Sequence, residues 1–386
     1  GEAPAAGDSS SSTAKLRAAP RPPRVSGREV ESELLIEELR AAGVLADEGW
    51  DHAEASAHVA ALREVGEDLT PELALPPRRV LHHSGGLVVL ETPVEGEEES
   101  PDEGWVMRSL HFEASVGVVQ TEVRYHPGRD SFDRSHLAFA VHGAMRELLV
   151  SLAGCTGRGL AAGAAVLGGG GGALPMALRA AGRLGGPLEG LGPVSVVERD
   201  ASVAEAACAY FGFEERGAES GMGAELFVQD AVDFIERPPP SAPREFAAVL
   251  VDVAGAASHH SGEGVIAPPP ALLTRSFVRR AAAAVRAAEG AVAWNVILGA
   301  GDDGAGLLEC AEAVLAGASE LSLWAVGPMP HDDGTTQWLL VAAAGMRPPE
   351  GARVFSEVGL SGGGARIVSA SDAEAERGCT RTFGIE

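Results

Sequence analysis

Residues 166–175 read VLGGGGGALP, five consecutive glycines that follow directly on the apolar run AAGAAVL. Glycine inside regular structure costs about 0.5–1 kcal/mol relative to alanine, because it has more backbone freedom to lose on folding. Five together mark a loop, and a backbone this bare suits the close approach of a ligand. The chain holds 50 glycines, so a glycine run by itself says little; SGGGA at 361–365 and SGGL at 84–87 read as turns. What singles out 168–172 is its setting between an apolar strand and a helical stretch.

That setting extends outward in both directions. After Ser135 comes a helix, HLAFAVHGAMRELLVSLAG, and then strands at 161–167, 194–198, 225–228, 246–252 and 291–298 alternate with helices at 173–184, 202–211, 230–236, 271–288 and 302–316. Two further strands follow, near 320–326 and 337–343. Such alternation predicts an α/β fold with a parallel, doubly wound sheet, whose ligands bind beyond the carboxyl ends of the strands at the switch point of the strand order. Upstream, RVLHH, GGLVVLETP, WVMRSLHF and VVQTEVRYH are short runs rich in Val, Leu and Thr, separated by Gly, Pro and acidic turns; they predict a small antiparallel β segment. The expected organisation is a linker over 1–28, a helical lead-in over 29–77, the β segment over 78–130, the main domain over 131–345 and a tail over 346–386.

Composition narrows the function. With 386 residues, 45% of them hydrophobic, the chain can bury a large core. A formal net charge of -25 excludes a nucleic-acid partner, which would call for a basic face, and points to a basic protein or a cation. No apolar stretch approaches the roughly 20 residues of a membrane-spanning helix. Cys155, Cys208, Cys310 and Cys379 lack CxxC or metal-ligand spacing, so reduced thiols in the cytoplasm and no metal centre are expected. The chain starts at Gly1 rather than Met, as a processed or excised piece would; its opening residues have no apolar core of a secretory signal and read as a linker.

The candidate site residues come from the strand ends. A nucleoside-triphosphate loop would need Lys-Ser/Thr after the glycines, but ALP follows and the chain's only lysine is Lys15. The second strand, PVSVVE, ends in Glu198, an acid placed to hold the ribose hydroxyls of either a dinucleotide or S-adenosylmethionine. The third ends at Asp230, placed for an adenine amino group, with Asp233 a candidate helix cap one turn on. The fourth ends at Asp252, below the reacting end of such a ligand. The fifth, AVAWNVI, buries the chain's only asparagine, Asn295, which implies a polar role since a buried amide is costly unless paired. His142, on an apolar helix, reads as a core histidine, and His259 and His260 as exposed loop residues.

In order and spacing, VLGGGGGALP, SVVERDASVAEAACAYFGF, VQDAVDFI, VLVDV, APPPALLTRSFVRRA and AWNVI resemble the spermidine-synthase-like methyltransferases, in particular the C-terminal half of the dual methyltransferases that modify eukaryotic elongation factor one-alpha. VVQTEVRY, FDRSHL and HGAM extend the resemblance over roughly 105–345. It implies a Rossmann-like seven-stranded sheet and S-adenosylmethionine as cofactor, with Gly168, Gly170 and Gly172 along its methionine part, Glu198 on the ribose and Asp230 on the adenine. Asp252, with Asn295, would lie at the methyl group and the incoming amine; the β segment and Pro268–Pro270 would wall the acceptor channel. The implied activity is methylation of an α-amino terminus or lysine of a protein such as elongation factor one-alpha, and the resemblance admits a homodimer. Aminopropyltransferases of this fold carry an Asp directly after the glycines and an acidic pair near the fourth strand. Here Ala173 and Ala254 stand instead, which disfavours polyamine synthesis; a silent relative that only binds partners is the third reading.

Overall fold

The computed structural model describes residues 78–94, 104–113, 115–155, 160–183, 185–214, 224–254, 264–299, 302, 304–330, 335–349, 352–357 and 365–368. The expected linker over 1–28 and helical lead-in over 29–77 lie outside them, as do His259 and His260.

Two sheets carry the architecture. The first is antiparallel and runs in chain order: β1 (Arg79–Ser84), β2 (Leu87–Pro93), β3 (Val106–Phe112), β4 (Ser115–His126) and β5 (Ser131–Asp133). A helix, α1 (Ala140–Cys155), leads into the second sheet. It starts later than its apolar pattern because Asp133 Oδ1 accepts the N–H groups of Ser135 and His136 at 2.9 and 3.3 Å, which holds the chain in a turn.

The second sheet alternates strand and helix as expected: β6 (Ala164–Leu167), α2 (Ala173–Ala181), β7 (Val194–Glu198), α3 (Ala201–Tyr210), β8 (Glu225–Val228), α4 (Ala231–Glu236) and β9 (Ala248–Val251). After a short strand β10 (Val265–Ala267) come α5 (Arg275–Arg286), β11 (Ala291–Leu298), α6 (Ala305–Ala318), β12 (Ser322–Pro330) and β13 (Thr336–Ala343). Thr274 caps α5 by accepting the Phe277 N–H at 3.4 Å, so the single helix expected over 271–288 divides into a 3-10 turn, Pro270–Leu273, and α5.

Strands β8, β7, β6, β9 and β11 lie side by side and parallel, and β13 then β12 continue the sheet antiparallel. This is a Rossmann-like seven-stranded sheet. Residues past 345, expected to be a tail, supply two more strands, β14 (Arg353–Glu357) on β12 and β15 (Ala365–Val368) beyond it. Strand order reverses direction between β6 and β9, and there the Asp252 N–H donates to the Leu167 carbonyl at 2.7 Å. Phe234, Phe277 and Leu307 of α4, α5 and α6 cover one face of the sheet; Met145 and Leu149 of α1 and Leu178 of α2 cover the other. The antiparallel sheet packs on α3, where Leu87, Leu110 and Val123 meet Val203, Ala206 and Phe211. Among the described residues no helix is long and apolar enough to cross a membrane.

Candidate active site

A cavity of about 930 Å3 lies beyond the carboxyl ends of β6, β7, β8 and β9, bounded on its far side by β3 and β4 of the small sheet. Its size falls in the usual range for a cofactor or drug-sized ligand.

The glycine loop is its floor, and the reason for the glycines differs from expectation. A Cβ on Gly168 would lie 2.0 Å from the Asp252 carbonyl oxygen, one on Gly169 2.7 Å from Val196, and one on Gly170 2.6 Å from Thr121 Oγ1. Protein therefore fills the side where side chains would stand. Gly168, Gly170 and Gly172 also hold φ of 92°, 49° and 84°, a region that other residues reach only at a cost. The loop N–H groups are engaged within the fold. Gly168 and Gly169 donate to the Val197 carbonyl, Gly170 to Glu198 Oε2 at 3.0 Å, Gly171 to Thr121 Oγ1 at 2.8 Å and Gly172 to Gly169. Gly168 and Gly170 line the cavity, whereas Gly172 lies behind the loop against Phe213 and forms the N-cap of α2.

Glu198 projects from the end of β7. Its Oε1 accepts the Asp200 N–H at 2.9 Å and its Oε2 the Gly170 N–H, which fixes the carboxylate with lone pairs to spare toward the cavity. Burial pushes its carboxyl above the ordinary value, against the pull of those backbone N–H groups. Asp230 both lines the cavity and caps α4: Oδ1 accepts from Val232 N–H at 2.8 Å, and no described side chain is bonded to Oδ2. Asp233 pairs with Arg237 and does not cap the helix.

Asp252, just past the end of β9, is level with Asn295 on β11, and Gln337 on β13 lies on the same face, level with Ile297. They continue the rows Ala248–Leu250, Ala291–Ala293 and Leu339–Val341 of the three strands, which face α1. Each breaks an apolar row, and each is paired. Asn295 Nδ2 donates to Asp252 Oδ1 at 2.8 Å, and Gln337 Nε2, a diagonal neighbour across β11 and β13, donates to Asn295 Oδ1 at 3.0 Å. From the first turn of α1, His142 Nε2 meets Asp252 Oδ2 at 2.7 Å. His142 is thus part of the site, not a bystander in the core. Its signal was absent from the local sequence, since its partner is 110 residues away. Burial alone would raise the Asp252 carboxyl; the attraction of His142 and the hydrogen bonds from His142 and Asn295 outweigh it and hold the group below the ordinary carboxylate value. Among the described residues no group of three metal ligands occurs.

Neither a family model nor a curated protein matches the sequence. Solved structures do resemble the chain. A probable spermidine synthase from Corynebacterium glutamicum is 16% identical, with 81% of this chain and 98% of that one covered and a TM-score of 0.47. A spermidine synthase from Thermotoga maritima is 15% identical over 68% of this chain and 72% of that one, with a TM-score of 0.37. An O-methyltransferase from Bacillus cereus in complex with SAH is 13% identical over 54% of this chain and 83% of that one, with a TM-score of 0.34. These are likenesses of chain path at low identity, and the reading of the chemistry rests on the side chains.

Proposed function

We propose that this chain is an S-adenosylmethionine-dependent methyltransferase that acts on an amine, with the α-amino terminus of a protein as the acceptor that suits the site best. The carrying observation is that Glu198, Asp230 and Asp252 end three successive parallel strands along one cavity. The residues fit the cofactor: Glu198 would take the ribose hydroxyls, the second oxygen of Asp230 the adenine amino group, and Gly168–Gly170 the methionine chain. Bound there, S-adenosylmethionine supplies a methyl group on a sulfonium with a thioether leaving group.

What remains for the protein is positioning and electrostatics. Asp252 lines the cavity as an ionised carboxylate and can accept a hydrogen bond from the acceptor N–H, favouring the positive charge that develops on nitrogen. Its lowered acidity range makes it a weak base, so the acceptor must bind in its neutral form. An α-amine, with a pKa of about 7.7–8.0, is already partly neutral at cellular pH, whereas a lysine near 10.4 is almost wholly charged. Phe139, Pro269 and Ile297 give the same cavity apolar wall.

The test is transfer of labelled methyl groups to a peptide that copies the amino terminus of elongation factor one-alpha, with its α-amine free or acetylated. Label on the free α-amine alone is expected, with Asp252→Asn slower by about 10²-fold. Full transfer by Asp252→Asn removes Asp252 from the mechanism. Label on lysine in both peptides overturns the α-amine reading, and aminopropyl transfer from decarboxylated S-adenosylmethionine would make the chain a polyamine synthase.

A further inference from the structure

Two members of the chain Gln337–Asn295–Asp252–His142 have no role in the reading above. Gln337 and His142 are both buried, at 4% and 6% exposure, and reach Asp252 from opposite directions, one through β13 and the other from α1.

The direction of every bond in this chain follows from the carboxylate. An ionised carboxylate only accepts hydrogen bonds, so the His142 nitrogen 2.7 Å from it must carry the proton: Nε2–H donates to Oδ2. The Asn295 atom that faces the other oxygen must likewise be its amide nitrogen, leaving Oδ1 to accept from Gln337 Nε2 at 3.0 Å. Turning Asn295 over would set its carbonyl against the carboxylate and its NH2 against the Gln337 NH2. The opposite nitrogen of His142, Nδ1, is buried with no hydrogen-bond partner among the described residues, and the ring stands edge to face with Phe139, centroids 5.3 Å apart. Neither ring nitrogen is therefore open to an acceptor: one is occupied by Asp252 and the other is closed off.

We infer that His142 and Gln337 are positioning residues of the transfer site, which hold Asp252 in one orientation, His142 directly as an Nε2–H donor and Gln337 by fixing the amide of Asn295. This rests on the amine methyl transfer proposed above. Asp252 then keeps only its outward lone pairs for the acceptor, and its orientation does not need to be found anew at each turnover. His142 is not the base that takes the acceptor's proton; that proton leaves to solvent.

Two measurements test this. In the 15N imidazole spectrum of the whole protein at pH 8, with the His142 signals assigned by their loss in His142→Gln, Nε2 is expected to be protonated. A ring with Nδ1–H and a bare Nε2 overturns the inference. In methyl transfer, His142→Ala and Gln337→Ala are each expected to lower kcat by about 10²-fold while KM for both substrates stays within about threefold. His142→Gln, which returns an N–H near the Nε2 position, should recover to within about tenfold of the native rate. Gln337→Ala combined with Asn295→Ala should be no slower than Asn295→Ala alone, since the two act as one unit. A His142→Gln enzyme as slow as His142→Ala, with both folded by melting temperature, makes His142 a proton acceptor and overturns the inference, as does full activity in His142→Ala. If the native protein transfers no methyl group, the proposed function falls, and the imidazole spectrum still decides the arrangement around Asp252.

Discussion

Glu198 carries a charge that its burial disfavours. Its carboxyl is pushed up by burial, so the folded chain binds that proton more tightly than the unfolded chain does. The stability this confers is fully present below the unfolded value of about 4.3 and is lost as pH rises through the higher folded value. At pH 7 the carboxylate therefore works against folding. Glu198→Gln is expected to raise the melting temperature at pH 7 and to leave it unchanged near pH 4. Its affinity for S-adenosylhomocysteine should fall about 10–100-fold, the worth of a hydrogen bond to a charged group. A lower melting temperature at pH 7, or unchanged affinity, would contradict the role given to this acid. Glu198, Asp230, Asp252 and Asn295 were legible in the sequence because each ends or interrupts an apolar strand. His142 and Gln337 were not, because a polar residue inside an apolar element shows nothing of its partner when that partner is distant: 110 residues for His142, 42 for Gln337.

The loop between β6 and α2 shows at the next scale why glycines cluster. Three elements converge on it: the end of β9 through the carbonyl of the next residue, Asp252, β7 through Val196, and β4 of the small sheet through Thr121. The small sheet thus shapes the glycine loop as well as the cavity wall opposite it. Gly168→Ala would force a Cβ into the Asp252 carbonyl oxygen at a φ of 92° and is expected to cost about 2–4 kcal/mol. Gly190→Ala makes the comparison, because Gly190 has a similar φ of 85° but nothing within 4 Å of the added atom; about 1–2 kcal/mol is expected there. Denaturant unfolding of the two variants measures the difference, and equal losses would mean that close packing is not what the loop requires. The sequence marked the loop but not this cause, since the atoms that crowd it come from β4, β7 and the end of β9.

Across the whole molecule, the main alternation of strands and helices could be read from periodicity, because strands buried on both faces give continuous apolar runs. β7, β8 and β11 match their expected bounds residue for residue. The strands β5, β10, β14 and β15 could not be read, since none is an apolar run set off by a helix on each side, as the equally short β6 and β8 are, and each pairs on the edge of a longer neighbour. The order of the sheet was likewise hidden, and that order puts β6 beside β9 and so joins the glycine loop to Asp252.

The central claim is that this crevice takes an adenosyl sulfonium cofactor. Thermal unfolding of the whole chain with S-adenosylhomocysteine, decarboxylated S-adenosylmethionine and NAD in turn tests it most directly. At about 100 times the dissociation constant a ligand adds roughly 2.7 kcal/mol, a rise on the order of 5–10 °C for a domain of this class. That rise is expected with S-adenosylhomocysteine, with no rise with NAD and, for an affinity about 10–100-fold weaker, a shift cut to between about half and a sixth in Glu198→Gln. A shift with NAD alone, or with none of the three, would contradict the claim.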